Sequence, residues 1–324
     1  MIAFRFVKVL VAAALLNGTV SGARAQSADV YPSRPVRFIV AFAPGGGADI
    51  IARLLGSRLA DALGKPVVIE NRPGAAGNIG VAAAAKLPAD GYTIAFAYSG
   101  THAINPTLYP DVGFKNSDFA PVILSMSVPQ VMTINANLPV NGVPELIALA
   151  KSKPGKLNFG TSGTFNHVSA VLFNEMAGIN VTHIPYGGTA ASMMALMSGD
   201  IQFQLCDPAG VLPQVKAGKL RMIAVTSEKR SSLFPDVPAV AEAGLSGYDA
   251  TSWNGILVRA GTPPEIIARL NSELNKILAT SDMRGRLADL GYEVVGGTPE
   301  QFGAHLVREE GKWAKVVKAA NIKP

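Results

Sequence analysis

Cysteine is almost missing: 324 residues contain one, Cys206. A lone thiol closes no internal disulfide, and its place in the apolar run 201–206 reads as a small core side chain, so packing alone must hold the chain together. Histidine is scarce too, four in all and widely spaced. There is no HExxH, no paired cysteine and no GxSxG elbow around Ser99 or Ser162, which removes the common metal and acyl-transfer constellations. No catalytic residue, cofactor or metal is therefore expected. Charged residues make up only 16% of the chain, and lysine and arginine form no block, so nucleic acid is not an expected partner. Beyond the N-terminus no segment reads as a membrane span.

The N-terminus itself reads as a secretory signal. Arg5 and Lys8 give a positive start, residues 9–16 are apolar, and Ala23-Arg24-Ala25 before Gln26 is an A-x-A cleavage site. The apolar stretch is far short of the ~20 residues a spanning helix needs. Residues 1–25 are thus expected to be removed after Ala25, leaving an exported, soluble protein with a net charge of about +3 once Arg5, Lys8 and Arg24 are gone from the stated +6. The remaining length suits two domains of ordinary size, and two domains imply a cleft.

What the chain does have is a repeated local theme. Residues 36–53 read VRFIVAFAPGGGADIIAR, a buried strand, a glycine turn and an amphipathic helix that Gly64 and Pro66 should stop. Three glycines let backbone approach a ligand, and the first turn of a helix offers unpaired N–H groups at the positive end of its dipole. The turn is neither a Walker loop, which needs a lysine, nor a dinucleotide fingerprint, because Ile50 stands where the third glycine belongs and Asp49 would face a pyrophosphate. A plain strand-to-helix turn is the other reading.

Strand and helix signals continue through residues 65–97 as β-α-β, with Ser99, Thr101 and His102 at the far end of the third strand. Residues 119–135, broken by Pro121, Pro129 and Gln130, read as a first crossing between domains. The theme then returns: Gly160-Thr161-Ser162-Gly163-Thr164 precedes a helix stopped by Gly178, and Thr189 caps the helix after Pro185-Tyr186-Gly187-Gly188. The methionines of that helix read as core filler, and Asp207 ends the next strand. Residues 252–258 read as the return crossing, with Trp253 either a cleft wall or hinge packing. The expected lobes are therefore 26–128 plus 253–324, and 129–252. Thr262-Pro263-Pro264-Glu265 and Thr298-Pro299-Glu300-Gln301 are capping signals for C-terminal helices, whose Arg284, Arg286, Arg308, Glu309, Glu310 and Lys312 read as solvated faces.

The chain resembles the solute-binding receptors of tripartite tricarboxylate transporters, the Bug receptors. The resemblance runs through Tyr31-Pro32, Phe42-Ala43-Pro44-Gly45-Gly46-Gly47 with Asp49, Asn71-Arg72-Pro73-Gly74, Ala89-Asp90-Gly91-Tyr92 and Ile104-Asn105-Pro106. It continues in Gly160-Thr161-Ser162-Gly163, His167, Pro185-Tyr186, Ala217-Gly218-Lys219-Leu220 and Ala260-Gly261-Thr262-Pro263. It implies a type II periplasmic-binding-protein fold, two α/β lobes with the ligand enclosed between them. Carried over, ligand contact falls on Phe42, Pro44, Gly46, Gly47, Ala48, Asp49, Ser99 and Thr101 in the first lobe. In the second it falls on Thr161, Ser162, His167 and Tyr186, with Asp207 reading the distal end. Gly187 stands where many members have lysine, and Ala191-Ser192 replaces a Pro-Ala pair, which implies a roomier or less positive pocket there.

The resulting expectation is a monomeric periplasmic receptor that closes around a small organic carboxylate and presents it to membrane transporter subunits. Aliphatic dicarboxylate, acidic amino acid and aromatic carboxylate all fit the turns, and Phe42, Tyr186 and Trp253 lean toward a flat ligand. Two other classes remain open: an enzyme on the same fold using His167 or His102 with Asp207, and a sensor subunit for a membrane kinase.

Overall fold

The computed structural model describes residues 31–323, and every count or absence below refers to those residues. The expected signal peptide lies outside them. The opening unit forms as its pattern dictates: β1 (Val36–Val40) runs into the glycine turn and out as α1 (Gly47–Leu63). Ile51, Leu55, Leu59 and Leu63 recur at helical spacing on the buried face. Gly64 takes up a left-handed φ of 66° that a side chain would strain, and its N–H bonds Ala60 O at 2.9 Å to end the helix.

Two mixed sheets organise the chain. The first has six strands in the order β11-β4-β10-β3-β1-β2, where β2 is Val67–Asn71, β3 Thr93–Tyr98, β4 Phe119–Pro129, β10 Thr251–Arg259 and β11 Glu293–Val294. β1 lies parallel to both neighbours, and β10 is antiparallel to β3 and β4. α2 (Asn78–Ala85) connects β2 to β3. The second sheet has five strands, β7-β6-β8-β5-β9, built from β5 (Val131–Asn135), β6 (Asn158–Thr161), β7 (Thr182–Pro185), β8 (Phe203–Cys206) and β9 (Leu220–Val225). Its helices are α3 (Val143–Ser152), α4 (Thr164–Ala177), α5 (Thr189–Ser198) and α6 (Pro208–Lys216). Three more, α7 (Pro264–Ala279), α8 (Ser281–Asp289) and α9 (Pro299–Ala319), return to the first sheet's side of the chain.

The chain passes between the sheets twice. Gln130 alone separates β4 from β5, and residues 226–250 lead from β9 back to β10. The two passages are stitched together at one point: Thr226 Oγ1 accepts from Gln130 N and donates to Ala250 O, both at 2.8 Å. Backbone bonds from Thr226 N to Gln130 O (2.9 Å) and from Ala250 N to Thr226 O (2.8 Å) complete the knot.

Several local expectations change. Trp253 is packing rather than cleft wall: it is buried against Phe302 and His305, and its Nε1 donates to Glu309 Oε2 at 3.2 Å. Trp313 donates to the same oxygen at 3.0 Å, so Glu309 is an acceptor for two indoles and not a solvated charge. Thr298 and Gln301 form the expected capping box, but Thr262 turns its hydroxyl back to Arg259 O and leaves Pro263 as the cap of α7. Thr189 likewise does not cap α5; Gly188 does, and Thr189 is its first residue. In α5, Met193 and Met197 pack on the core, whereas Met194 falls on the outer face, 61% exposed.

Candidate functional site

A cavity of about 320 Å³ lies where the openings of four helices meet. Gly46, Gly47 and Ala48 bring in α1, Gly163 and Thr164 bring in α4, Thr189 brings in α5 and Asp207 brings in α6. Each opening follows a strand of one of the two sheets, which is why they face a common space. None of the four cap residues makes a side-chain capping bond, so the first-turn N–H groups of α1, α4 and α5 keep their donor capacity, whereas α6 starts with Pro208, which has no N–H, and its Gly210 N–H is bonded to Asp207 O at 3.3 Å. Ser162 Oγ and Thr189 Oγ1, 3.1 Å apart, join two of the openings.

Phe42, Ala76, Tyr98, Gly100, Val128, Asn166, Asn254 and Tyr292 complete the wall. Phe42 and Tyr98 meet edge-on with ring centroids 5.5 Å apart, and Tyr98 in turn meets Phe165 at 6.4 Å. A Cβ on Gly47 would stand 3.0 Å from Tyr292 Oη, so a side chain there would push that phenol back from the helix opening. Asn166 is held by its amide, which donates to Leu205 O at 3.0 Å.

The wall's electrostatics are one-sided. Among the lining residues there is no lysine, arginine or histidine, and Asp207 is the one carboxylic acid. Burial pushes the Asp207 carboxyl up to about 6, with Gln130 offsetting part of that. Burial, and then the nearby Asp207, raise the phenols of Tyr98 and Tyr292, which therefore remain proton donors at neutral pH.

Of the residues expected to hold a ligand, Phe42, Gly46, Gly47, Ala48, Ser162 and Asp207 line this cavity. The others stand behind or beside it. Pro44 is exposed at the turn. Asp49 is buried and turned inward, accepting from Gly45 N, Arg53 Nε and Asn71 Nδ2, each at 2.9 Å. Ser99 is buried with its hydroxyl 2.7 Å from Ser252 Oγ, and Thr101 donates to Tyr98 O. Thr161 Oγ1 lies 2.6 Å from His183 Nε2, and His167 stacks on His183 at 3.9 Å. Burial first, and His167 second, lower His183 to about 4; burial lowers His167 as well. Tyr186 lays its ring against Gly160. His102, also buried, is pushed down to about 4 and sits between Phe114 and Phe119, far from the role of a base.

Residues 51–322 match the family described as the tripartite tricarboxylate transporter family receptor. BugT of Bordetella pertussis is 36% identical over 301 residues, covering 92% of each chain. Among solved structures, the R. palustris protein Rpa4515 with adipate superposes with a TM-score of 0.84 at 37% identity, covering 91% of this chain and 99% of the other. MatC from Rhodopseudomonas palustris with bound malate gives a TM-score of 0.79 at 30% identity, covering 89% of this chain and all of the other. The two sheets are thus the two α/β lobes of a periplasmic-binding-protein fold, and the chain belongs to the tripartite tricarboxylate transporter receptor family, whose members are periplasmic solute-binding proteins.

Proposed function

We propose that this chain captures a small organic carboxylate in the periplasm by closing its two lobes, and hands it as a monomer to tripartite transporter subunits in the membrane. The observation that carries the reading is the convergence of four uncapped helix openings on one cavity without a single lining cation. Helix dipoles and unpaired N–H groups stabilise an anion where no arginine is fixed. Phe42, Gly46, Gly47, Ala48 and Ser162 touch the ligand, joined by Tyr98, Asn166, Thr189, Asn254 and Tyr292, while Asp207 faces its far end. Pro44, Asp49, Ser99, Thr101, Thr161, His167 and Tyr186 hold the turns from behind. No bond is made or broken.

The lobes run over 26–128 plus 253–324 and over 129–252, hinged at the Gln130–Thr226–Ala250 knot, and the signal is cleaved after Ala25. The adipate and malate of the two R. palustris relatives favour an acid as cargo. Thermal unfolding against a panel of carboxylates, sugars and neutral amides tests it, since a ligand bound by the native state alone raises the melting temperature by several degrees at saturating concentration. Shifts confined to carboxylates are expected; shifts with sugars or amides alone overturn the reading.

A further inference from the structure

Apolar packing does not stop at the gap between the two sheets. Phe165 is the second residue of α4, between Thr164 and Asn166, which line the cavity, yet its own ring is fully buried and turned to the first lobe. There it meets Trp313 of α9 edge-on, with ring centroids 5.1 Å apart and planes at 70°, and Tyr98 of β3 at 6.4 Å. α9 packs on β4 of the first sheet, so both contacts cross from one lobe to the other. One residue before Trp313, Lys312 Nζ donates to Asp249 Oδ2 at 2.6 Å. The other oxygen of Asp249 accepts from Thr251 N at 3.2 Å and Thr251 Oγ1 at 2.8 Å, which fixes that carboxylate on the return passage. The same passage reaches α4 through Tyr248, whose hydroxyl donates to Ser169 O at 3.1 Å. α9, the return passage and α4 are therefore tied to one another pairwise, and the cavity end of α4 is held by the two rings alone.

We propose that Phe165 and Trp313 are positioning residues for capture: their contact is a latch, made when the opening of α4 comes up to the first lobe and broken when the lobes part. Neither ring lines the cavity, and the latch acts through Thr164 and Asn166 on either side of Phe165. Two edge-on aromatic contacts favour the closed form by about tenfold over the open one, a share of closure that the ligand then does not have to supply. The Lys312–Asp249 pair sits at the pivot, is partly exposed, and adds less. The proposal rests on the hinge closure stated above and is independent of the cargo. A contact of the permanent core would raise the melting temperature and leave the lobe equilibrium alone; a latch moves that equilibrium.

The test reads the distance between the lobes directly. Cys206 is the one native thiol and is buried, so spin labels on Ser57→Cys in α1 and Ser152→Cys in α3, both exposed positions, report one distance per lobe arrangement by pulsed electron resonance. The labelled mature protein is measured alone and over a concentration series of adipate and of malate, with Phe165→Leu, Trp313→Leu, Trp313→Phe and Lys312→Gln placed in the same background. Both leucine variants should lower the closed-to-open ratio about tenfold, and Trp313→Phe, which keeps a ring edge against Phe165, should hold most of the native ratio. Lys312→Gln leaves the rings in place and should lower the ratio about twofold, which keeps the test open even where a leucine variant folds poorly. Leucine variants that melt lower yet keep the native ratio overturn the latch, make the contact part of the permanent core, and leave hinge closure standing. A single distance in every variant, with and without either acid, overturns the latch and hinge closure together.

Discussion

Asp49 and Asp207 each stand at the opening of a helix beside the same cavity, and their carboxylates live in opposite surroundings. Asp49 takes the backbone N–H of Gly45, the guanidinium of Arg53 and the amide of Asn71. Chiefly through the Arg53 hydrogen bond, its pKa falls to about 2. Asp207 opens α6 with a buried oxygen unanswered, and burial lifts its pKa to about 6. A helix opening alone would lower both. The neighbours decide: Asp49 is spent inside the fold to lock the glycine turn, while Asp207 lines the cavity with one buried oxygen unpartnered among the described residues.

The largest expected effect follows from removing the brace. Asp49→Ala deletes three acceptor contacts and leaves Asn71 and Gly45 short of a partner, at a cost of about 2–3 kcal/mol. The melting temperature should drop by roughly 3–5 °C for a chain of this size. The folded pKa of Asp49 lies below its ordinary 3.8, so its share of stability is present above about pH 4 and is lost as pH falls toward 2. That share is on the order of 1–2 kcal/mol after allowing for the half-exposed Arg53, and Asp49→Ala should flatten the acid limb of a stability-against-pH curve accordingly. An unchanged acid limb would mean that the turn is held by something else.

Asp207 should move the other way. Its folded pKa is raised, so the folded state holds the proton more tightly between 3.8 and about 6. Burial therefore costs nothing below that window and its full amount above it. Asp207→Asn should stabilise the ligand-free protein at pH 7.5 by on the order of 1–3 kcal/mol, with the gain shrinking to nothing near pH 4. Paired thermal melts at the two pH values check the sign. A destabilised Asn variant at pH 7.5 would make Asp207 a second brace and erase the contrast with Asp49.

The contrast was only half visible in the sequence. Strand, glycine turn and helix at 36–64 are a local pattern, and local rules suffice for an apolar run, a left-handed stop at Gly64 and a buried Cys206. The motif order also carried the fold class, because it follows the chain through both sheets. What eluded the pattern depends on phase and on distance. Tyr98 lines the cavity while its neighbour Ser99 turns to Ser252, a one-residue difference at the end of β3 that no spacing rule resolves. Asn254 and Tyr292 reach the wall from the middle of an antiparallel strand and from a turn late in a stretch that reads as helical. A Thr-Pro signal can fail when the hydroxyl finds a nearer carbonyl, as Thr262 does with Arg259. Asp49 and Asp207 looked alike as acids at turns, since composition says nothing of who answers a carboxylate.

Within the brace itself the contacts are unequal, and the smallest expected effect tests that. Arg53 carries a side chain 54% exposed, one turn along α1 from Asp49. An ion pair with one partner in water contributes about 0.5–1 kcal/mol. The Gly45 N–H and the Asn71 amide, by contrast, are fixed by backbone and by the end of β2; Asn71 Nδ2 also donates to Phe42 O at 3.0 Å, tying the turn to the cavity ring. Arg53→Ala should therefore lose well under half of what Asp49→Ala loses, and added salt should shrink the difference between Arg53→Ala and the native chain while leaving the Asp49→Ala deficit largely in place. If the two variants melt together, the guanidinium alone holds Asp49. The buried acid at the glycine turn would then depend on a single, half-exposed charged partner.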